Sequence, residues 1–334
     1  MRVLFLGGTG NISAECAALL HERGHEVMVV SRGRTQVPGE YRAFQADRTD
    51  AAAMGQVVTE ARPDVVLNFI GYEVTDVQTD FETFRDRVGQ YVFISSTVVY
   101  AKPPPRLPLT EDLPQSNPWW DYAQKKIECE KWLRERWEQD RFPVTVVRPS
   151  HTYSKRWVPN PASSASFTFA RRLEQGLPVF VPDEGESPWT LTTAMDFSEG
   201  VCGLLGNPAT IGEAFHITND DSLTWNQICK TIADALGATS PQIVPVPTDF
   251  ICQIAPRMTG TLKGDKAHPA VFDNSKIKRF VPGFQCKTPF HEGVRASIEW
   301  LRAHPEQQNL NPEVDALCEE VVNSWRASKS RNLD

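Results

Sequence analysis

Short apolar runs alternate with stretches of helical periodicity through the first half of this 334-residue chain. The apolar runs lie at 3–6, 27–30, 65–70, 91–94 and 144–147. Segments with the period of an α-helix lie between several of them, at 12–23, 51–61 and 122–137. Strands that alternate with helices of this length predict βαβ units, and hence a parallel sheet covered by helices on both faces.

The alternation breaks after about residue 154. Residues 155–190 form a proline-rich stretch, and a similar pattern returns from about 241 in the sequence PQIVPVP. Between these two stretches, a helix at about 196–206 and a strand at 214–218 are predicted to rejoin the sheet. A further helix is predicted at 289–303. The pattern therefore indicates an α/β protein, with one doubly wound parallel sheet and a smaller lobe built from two separated segments.

Composition and charge narrow the class of protein. With 40% apolar and 23% charged residues, the composition is that of an ordinary globular chain. The net charge of −7 argues against a nucleic-acid partner. The seven cysteines are scattered without a CxxC pair, which favours reduced thiols over disulfides or a metal site. No signal peptide and no membrane-spanning run is evident, so we expect a cytoplasmic protein without a membrane partner.

The opening stretch MRVLFLGGTGNIS predicts a strand, a tight glycine turn and the start of a helix. This arrangement can direct backbone N–H groups and a helix dipole at a pyrophosphate. Gly7 and Gly10 would supply the turn and the close backbone approach, and Asn11 and Ile12 follow them. Ser13 replaces the third glycine of a GxxGxxG series. Because serine is small, we expect this change to affect packing more than phosphate contact.

Weaker signals follow in the order expected of a dinucleotide site. The second strand ends at Ser31 and Arg32 instead of an acidic residue, which favours the 2′-phosphate of NADP without excluding NAD. Asp47, which Arg48 follows, can accept a hydrogen bond from an adenine amino group. Small or apolar backbone near the cofactor is expected at Phe69, Ile70 and Gly71.

Two further stretches carry the candidate chemistry. Tyr122 and Lys126 lie four residues apart on a predicted helix and therefore share one face. A free tyrosine has a pKa of about 10, but a nearby ammonium and a positively charged nicotinamide favour its phenolate. Ser96, at the end of the fifth strand, can donate a hydrogen bond to the substrate oxygen. Ser96, Tyr122 and Lys126 together suit a reaction in which a hydride is removed from a carbinol carbon and later returned to it.

Together these motifs resemble the extended branch of the short-chain dehydrogenase/reductase superfamily, the NAD-dependent epimerase/dehydratase family. GGTGNIS is similar to the glycine motif, SSTVVY to the serine strand and YAQKK to the Tyr–Lys motif. VVRPSHTY, which contains Pro149, resembles the strand that ends in a substrate-facing loop. The segments 273–278 and 289–300 match the C-terminal part of the branch.

The resemblance implies a Rossmann-type NAD(P)-binding domain with a smaller C-terminal substrate-binding lobe. We assign 1–158 and about 194–240 to the first, about 159–193 and 241–304 to the second, and 305–334 to a C-terminal helical tail, docked or loose. The family resemblance also implies that the turn and strand-end residues named above bind the cofactor together with Tyr122, Lys126 and Pro149. A homodimer through helices near 78–88 and 122–138 is compatible with the resemblance, and so are solvated helices.

Departures from the family pattern limit the choice of substrate. The stretch after Gly71 is short, as in the chloroplast stem-loop RNA-binding relatives. His151 stands where many sugar-nucleotide enzymes have an asparagine, and Trp189 where many have an arginine that grips the diphosphate. We expect substrate contacts at Glu73, Thr97, His151 and Trp189. For Trp189, packing between the lobes stays the commoner alternative.

We therefore expect an NAD(P)-dependent oxidoreductase or epimerase that acts on a hydroxyl carbon of a sugar, nucleotide-sugar or nucleoside-like substrate through a transient ketone. Dehydration of a similar substrate is the first alternative. It needs an acid for the leaving hydroxyl. Thr97 and Val98 stand where 4,6-dehydratases place an acidic pair, so Glu73, Asp76 or His151 would have to supply that acid. The alternative from another class is a non-catalytic protein that binds RNA or a ligand on the same fold.

Overall fold

The structure, a computed structural model, describes residues 1–162 and 166–331. Its strands are β1 (Arg2–Leu6), β2 (Glu26–Ser31), β3 (Arg42–Gln45), β4 (Val65–Asn68), β5 (Gln90–Ile94), β6 (Val144–Pro149), β7 (His151–Tyr153), β8 (Val179–Pro182), β9 (Pro188–Trp189), β10 (Leu191–Thr193), β11 (Ala214–Ile217), β12 (Leu223–Thr224) and β13 (Ile243–Val246). Its helices are α1 (Ser13–Glu22), α2 (Ala51–Ala61), α3 (Val74–Phe84), α4 (Asp121–Asp140), α5 (Thr168–Glu174), α6 (Ala194–Leu204), α7 (Trp225–Leu236), α8 (Thr248–Ile254), α9 (Thr259–Thr261), α10 (Ser275–Phe280), α11 (Phe290–Ala303) and α12 (Pro312–Arg331).

Seven strands form one parallel sheet in the order β11-β6-β5-β4-β1-β2-β3. The order reverses beside β1, so the carboxyl ends of β1 and β4 open a crevice of the kind in which doubly wound proteins bind ligands. The predicted fold class, a Rossmann-type doubly wound sheet, is confirmed.

The fourth strand is shorter than the sequence pattern predicts, since it ends at Asn68 and not at 70. The Asn68 side chain explains this end, because its Oδ1 accepts a hydrogen bond from the backbone N–H of Ile70 at 2.9 Å. The chain turns out of the sheet at this point. Residues 69–72 therefore form a loop over the crevice.

Alternate residues of the buried strands pack on opposite faces of the sheet. Leu4 and Leu6 of β1 pack with α2, α3 and α4, whereas Val3 and Phe5 pack with α1, α6 and α10. This alternation follows from the two-residue period of a strand and explains why β1 is apolar from Val3 to Leu6. The sheet is thus covered on both sides, and its carboxyl edge is left for the site.

A second core lies beyond the carboxyl ends of β5 and β6. The segments that the sequence assigns to the smaller lobe meet where β8 pairs with β13. The structure packs α7 into this second core, through Ile228 and Ile232, although the sequence grouped 194–240 with the sheet. Helix α12 docks on the same core through Leu317 and Val321, which resolves the tail as a docked helix over the described residues.

In the described ranges, 1–162 and 166–331, no helix combines the length and the hydropathy needed to cross a membrane.

Candidate active site and cofactor crevice

The glycine turn between β1 and α1 has the geometry of a phosphate cradle. Gly7 has a φ of +85°, and a Cβ built there would lie 2.4 Å from Cγ2 of Ile70. Only glycine is compatible with both conditions. The backbone N–H of Gly10 donates to Oγ of Ser13 at 2.9 Å. Ser13 therefore holds the turn directly, a role beyond the packing that the sequence suggested for it.

Asn11 links the glycine turn to the segment at the end of β7. It accepts a hydrogen bond from the hydroxyl of Ser154, just after β7, and its Nδ2 lies 3.5 Å from the carbonyl oxygen of Thr152. The turn is thus fixed to the segment that also carries His151.

A cavity of about 520 Å³ opens beside the glycine turn. Of the predicted cofactor residues, it is lined by Gly7, Ser31, Arg32, Asp47, Arg48 and Ile70. Hydrogen bonds from the backbone and side chain of Thr49 lower the pKa of Asp47, so this carboxylate is ionised at neutral pH. Arg32 is exposed at the rim, where it can reach a 2′-phosphate. The cavity and the turn fit the adenosine half of a dinucleotide.

Arg48 faces the protein more than the cavity. Its guanidinium donates to the carbonyl oxygen of Ile70 at 2.7 Å and to Oδ2 of Asp80 at 2.9 Å. Asp80 is buried and also accepts hydrogen bonds from Asn68 and Tyr91, both at 2.6 Å. Burial raises the pKa of Asp80, and the charge of Arg48 opposes that rise. Arg48 therefore holds the 69–72 loop in place, and its charge is already engaged.

A second cavity, of about 320 Å³, lies at the carboxyl ends of β5 and β6. It brings together Ser96, Tyr122 and Lys126, the three predicted catalytic residues. Its lining also includes other predicted residues: Ile12, Phe69, Thr97, Pro149, His151 and Trp189. Tyr72 lines both cavities, so the two adjoin at this ring.

Glu73, a predicted substrate contact, lies outside the lining of both cavities. Glu73 is the N-cap residue of α3, where its backbone N–H donates to Oδ2 of Asp76 at 3.0 Å, and its carboxylate pairs with Lys125 at 2.8 Å. Gly71 takes part through its backbone, since its carbonyl oxygen accepts a hydrogen bond from Nζ of Lys126 at 2.7 Å.

Lys126 is buried on the second turn of α4. Besides Gly71, its Nζ donates to the carbonyl oxygen of Ile94 at 2.8 Å, and it lies 4.6 Å from the centre of the Phe93 ring. Burial lowers the pKa of Lys126 to about 8. The ammonium is thus directed at two carbonyl groups at the ends of β4 and β5.

The phenolate expected of Tyr122 depends on Lys126 together with a positively charged nicotinamide, and it stays a prediction; in the structure the phenol is buried. Burial raises the pKa of its phenol above the ordinary value, Tyr72 adds to the rise, and hydrogen bonding to Ser96 opposes it. The ammonium of Lys126 donates to backbone carbonyl groups and lies 5.9 Å from the centre of the Tyr122 ring. In this geometry Tyr122 is a neutral phenol and therefore a proton donor.

His151 presents an unpaired nitrogen to the same cavity. Its Nε2 is buried and has no hydrogen-bond partner among the residues that the structure covers. Burial, aided by the charge of Lys266, lowers the pKa of His151 to about 3, so the imidazole is neutral. The rings of Trp157 and Trp189 lie 5.7 and 5.8 Å from it.

Trp189 packs within the smaller lobe and also lines the cavity, and its contact with a substrate stays a prediction. Its Nε1 donates to the carbonyl oxygen of His268 at 3.0 Å, and its ring packs 4.9 Å from that of Trp225. The remaining face of the ring lines the cavity. The residue is therefore a structural wall, and its polar atom is not free for a substrate.

Several lining residues were missed by the sequence reasoning: Tyr72, Trp157, Asp265 and Lys266. The last two come from a single π-helical turn, Leu262–Lys266, in the smaller lobe. No local motif marks this turn, and the fold alone brings it to the cavity.

The geometry defines a dinucleotide-binding protein with a Ser–Tyr–Lys site. The family model described as "NAD dependent epimerase/dehydratase family" matches residues 3–218. This range is well over half of the chain, and the chain therefore belongs to that family. The family resemblance drawn from the motifs is confirmed.

Similar proteins within this group differ in activity. The chain is 26% identical over 291 residues to 2′-dehydrokanamycin reductase of Streptomyces kanamyceticus, covering 85% of this chain and 80% of that protein. It is 27% identical over 260 residues to the chloroplast stem-loop binding protein of 41 kDa b of Arabidopsis thaliana, covering 73% and 65%. The UDP-glucose 4-epimerase of Thermus thermophilus, solved with NAD, has a TM-score of 0.71 at 23% identity, covering 90% of this chain and 99% of that one. The last likeness shows the fold alone.

Proposed function

We propose that this protein is an NAD(P)-dependent oxidoreductase that interconverts a carbinol and a ketone on a sugar-like substrate, with ketone reduction as the net reaction. The observation that carries the proposal is the meeting of Ser96, Tyr122 and Lys126 in one cavity that adjoins the dinucleotide crevice at Tyr72. The similarity to a reductase of Streptomyces kanamyceticus supports this choice among the activities of the family.

The cofactor, when bound, supplies the hydride that the ketone receives. Tyr122 is a neutral phenol here and donates its proton to the ketone oxygen, which a buried phenolate could not do. Ser96 lies beside Tyr122 and can donate a second hydrogen bond to the same oxygen. Lys126 fixes the carbonyl groups of Gly71 and Ile94 at the mouth of the crevice and can turn towards a ribose hydroxyl.

NADP(H) is the cofactor that the crevice favours. Arg32 and Arg34 line the adenosine cavity, and β2 ends without an acidic residue. A guanidinium suits a 2′-phosphate, whereas a carboxylate would bind the 2′-hydroxyl of NAD. Asp47 and Asp76 are the acidic residues that line this cavity, and Asp47 suits the adenine amino group.

Dehydration is less well supported, because Asp265, the carboxylic acid in the lining of the reaction cavity, is paired with Lys102 at 3.6 Å. Thr97 and Val98 occupy the places where 4,6-dehydratases have an acidic pair. The carboxylate of Glu73 pairs with Lys125, and the imidazole of His151 is neutral. Asp76 accepts hydrogen bonds from the backbone N–H groups of Tyr72 and Glu73. A non-catalytic binding role is also less well supported, since it would not require the Ser–Tyr–Lys set.

The test is Tyr122→Phe, with Tyr72→Phe as the matched control that lies 6.4 Å from it, ring to ring. Turnover of keto sugars is followed by NADPH absorbance, and cofactor affinity by fluorescence titration. We expect Tyr122→Phe to lose about 100-fold or more in kcat, since general acid catalysis contributes about 10²–10⁴-fold, and to keep its cofactor affinity. Undiminished turnover in Tyr122→Phe would exclude this phenol as the proton donor.

A further inference from the structure

The reaction cavity contains a buried ammonium group that the proposed chemistry does not use. Lys266, the last residue of the π-helical turn Leu262–Lys266, is 3% exposed and lines the cavity. Throughout the described chain, no carboxylate lies within ion-pair distance of its Nζ and no group accepts a hydrogen bond from it. The backbone of Lys266 is fixed, because its carbonyl oxygen accepts a hydrogen bond from Nε1 of Trp225 at 2.8 Å.

The neighbouring charges leave this region of the cavity positive. Asp265 lines the cavity next to Lys266, but its carboxylate lies 3.6 Å from Nζ of Lys102, whose side chain is 1% exposed. Asp265 acts electrostatically on both Lys102 and Lys266, and the two lysines together carry one more positive charge than it offsets. A buried charge is costly unless it is paired, so this site favours an anion from outside the chain.

His151 supplies a second polar group to the lining of the same cavity. The charge of Lys266 acts on the imidazole of His151, and Nε2 of that ring is buried without a partner within the described residues. A neutral imidazole can donate or accept a hydrogen bond. An ammonium and an unpaired imidazole nitrogen therefore provide complementary contacts for one oxygen-bearing anionic group.

The size of the cavity limits what can carry this group. A volume of about 320 Å³ is near the lower end of ligand cavities, which span about 300–1,000 Å³. The cofactor ring must share that volume, because Ile12, Phe69 and Pro149 are part of the lining. The space that remains fits a single compact sugar or polyol better than a molecule with a further nucleoside.

We propose that the substrate is a compact carbinol or ketone that carries an anionic group, a carboxylate or a phosphate monoester, and that Lys266 together with His151 binds that group. This inference rests on the proposed function, since it identifies the substrate class of the same site. It assigns Lys266 as a specificity-determining residue, distinct from the Ser–Tyr–Lys set.

The experiment compares ligands that differ in charge on one ring. Affinities of glucuronate, glucose 6-phosphate, glucose, glucosamine and UDP-glucose are measured by tryptophan fluorescence with the protein saturated in NADP⁺. We expect one of the two compact anions to bind about 10–100-fold more tightly than glucose, as for a hydrogen bond to a charged group. Tighter binding of glucuronate identifies a carboxylate, and tighter binding of glucose 6-phosphate a phosphate monoester.

Three substitutions in the same turn separate this role from a structural one. Lys266→Met keeps the side-chain volume and should abolish the preference for the anion, with the affinity for glucose unchanged within about twofold. Lys266→Arg should restore the preference. Lys263→Met is the matched control, since Lys263 pairs with Asp249 at 2.6 Å and is not among the residues that line the cavity.

Three results would overturn the inference: equal binding of the charged and neutral sugars, tighter binding of UDP-glucose than of both compact anions, or an anion preference that survives Lys266→Met. The NADP⁺ titration and the turnover of Tyr122→Phe are read separately. If the unsubstituted protein binds the cofactor normally but shows no preference for an anion, only the substrate class is refuted. Failure of the unsubstituted protein to bind the cofactor refutes the proposed function.

Discussion

The replacement Asp80→Asn tests whether a buried charge pair stabilises the fold and fixes the loop over the crevice. Nη2 of Arg48 lies 2.9 Å from Oδ2 of Asp80, and the two side chains are 10% and 2% exposed. Removal of one partner of such a pair costs about 3–5 kcal/mol, because the other charge stays buried and uncompensated. Asp76, 3.8 Å from the same guanidinium, retains part of the compensation. We therefore expect the free energy of unfolding to fall by about 2–3 kcal/mol.

The same change on the surface provides the control. Asp64 pairs with Arg2 at 2.7 Å, a shorter distance, but the two side chains are 42% and 41% exposed. An exposed pair contributes about 0–1 kcal/mol, so Asp64→Asn should have a small effect. Urea unfolding followed by circular dichroism gives both values. NADP⁺ titration should show a several-fold weaker affinity for Asp80→Asn only, because Arg48 also holds the carbonyl group of Ile70.

Equal losses of stability in the two variants would refute the reasoning, because burial and not distance is held responsible for the difference. A loss below about 1 kcal/mol for Asp80→Asn would refute it as well. If stability falls and cofactor affinity does not, the pair stabilises the fold but does not position the loop.

Three further substitutions each test a single feature. Gly7→Ala should weaken NADP⁺ binding by at least about tenfold in titration, since the residue has a positive φ and its new Cβ would overlap Ile70. Arg32→Ala should lower the preference for NADP⁺ over NAD⁺ by about tenfold, as measured from the two dissociation constants. Burial and the charge of Arg148 lower the pKa of His216 to about 3. Because the unfolded chain binds this proton near pH 6.5, His216 should contribute a loss of stability of about 1.4 kcal/mol per pH unit as the pH drops below about 6.5. Urea unfolding of His216→Gln should lack this contribution and keep the similar one of His151.

The sheet and the cofactor crevice were predictable because they are encoded locally. The runs at 3–6 and 27–30 match β1 and β2 within one or two residues, and the glycine turn needs only the spacing of Gly7 and Gly10. The end of β4 was predicted too late because a side chain, Asn68, and not a change in hydrophobicity ends that strand. Polar side chains that cap their own backbone leave little trace in an apolar pattern.

The reaction cavity was predictable only where helix or strand geometry fixes its residues. Tyr122 and Lys126 share a helix face, so their common placement follows from spacing. Lys266 and Asp265 reach the cavity from a turn of the smaller lobe, and their position depends on how that lobe packs against the sheet. Glu73 was expected to contact substrate because it follows β4, but it caps α3 and pairs with Lys125.

The protonation of Tyr122 shows why spacing alone does not determine chemistry. An i, i+4 lysine was expected to stabilise the phenolate, but its ammonium donates to the carbonyl oxygens of Gly71 and Ile94. Burial then dominates and raises the pKa of Tyr122. The same burial lowers the pKa of Lys126 to about 8, so each of these two groups is shifted towards its neutral form. A neutral phenol can give a proton to a developing alkoxide, which is the proton transfer that reduction of a ketone requires.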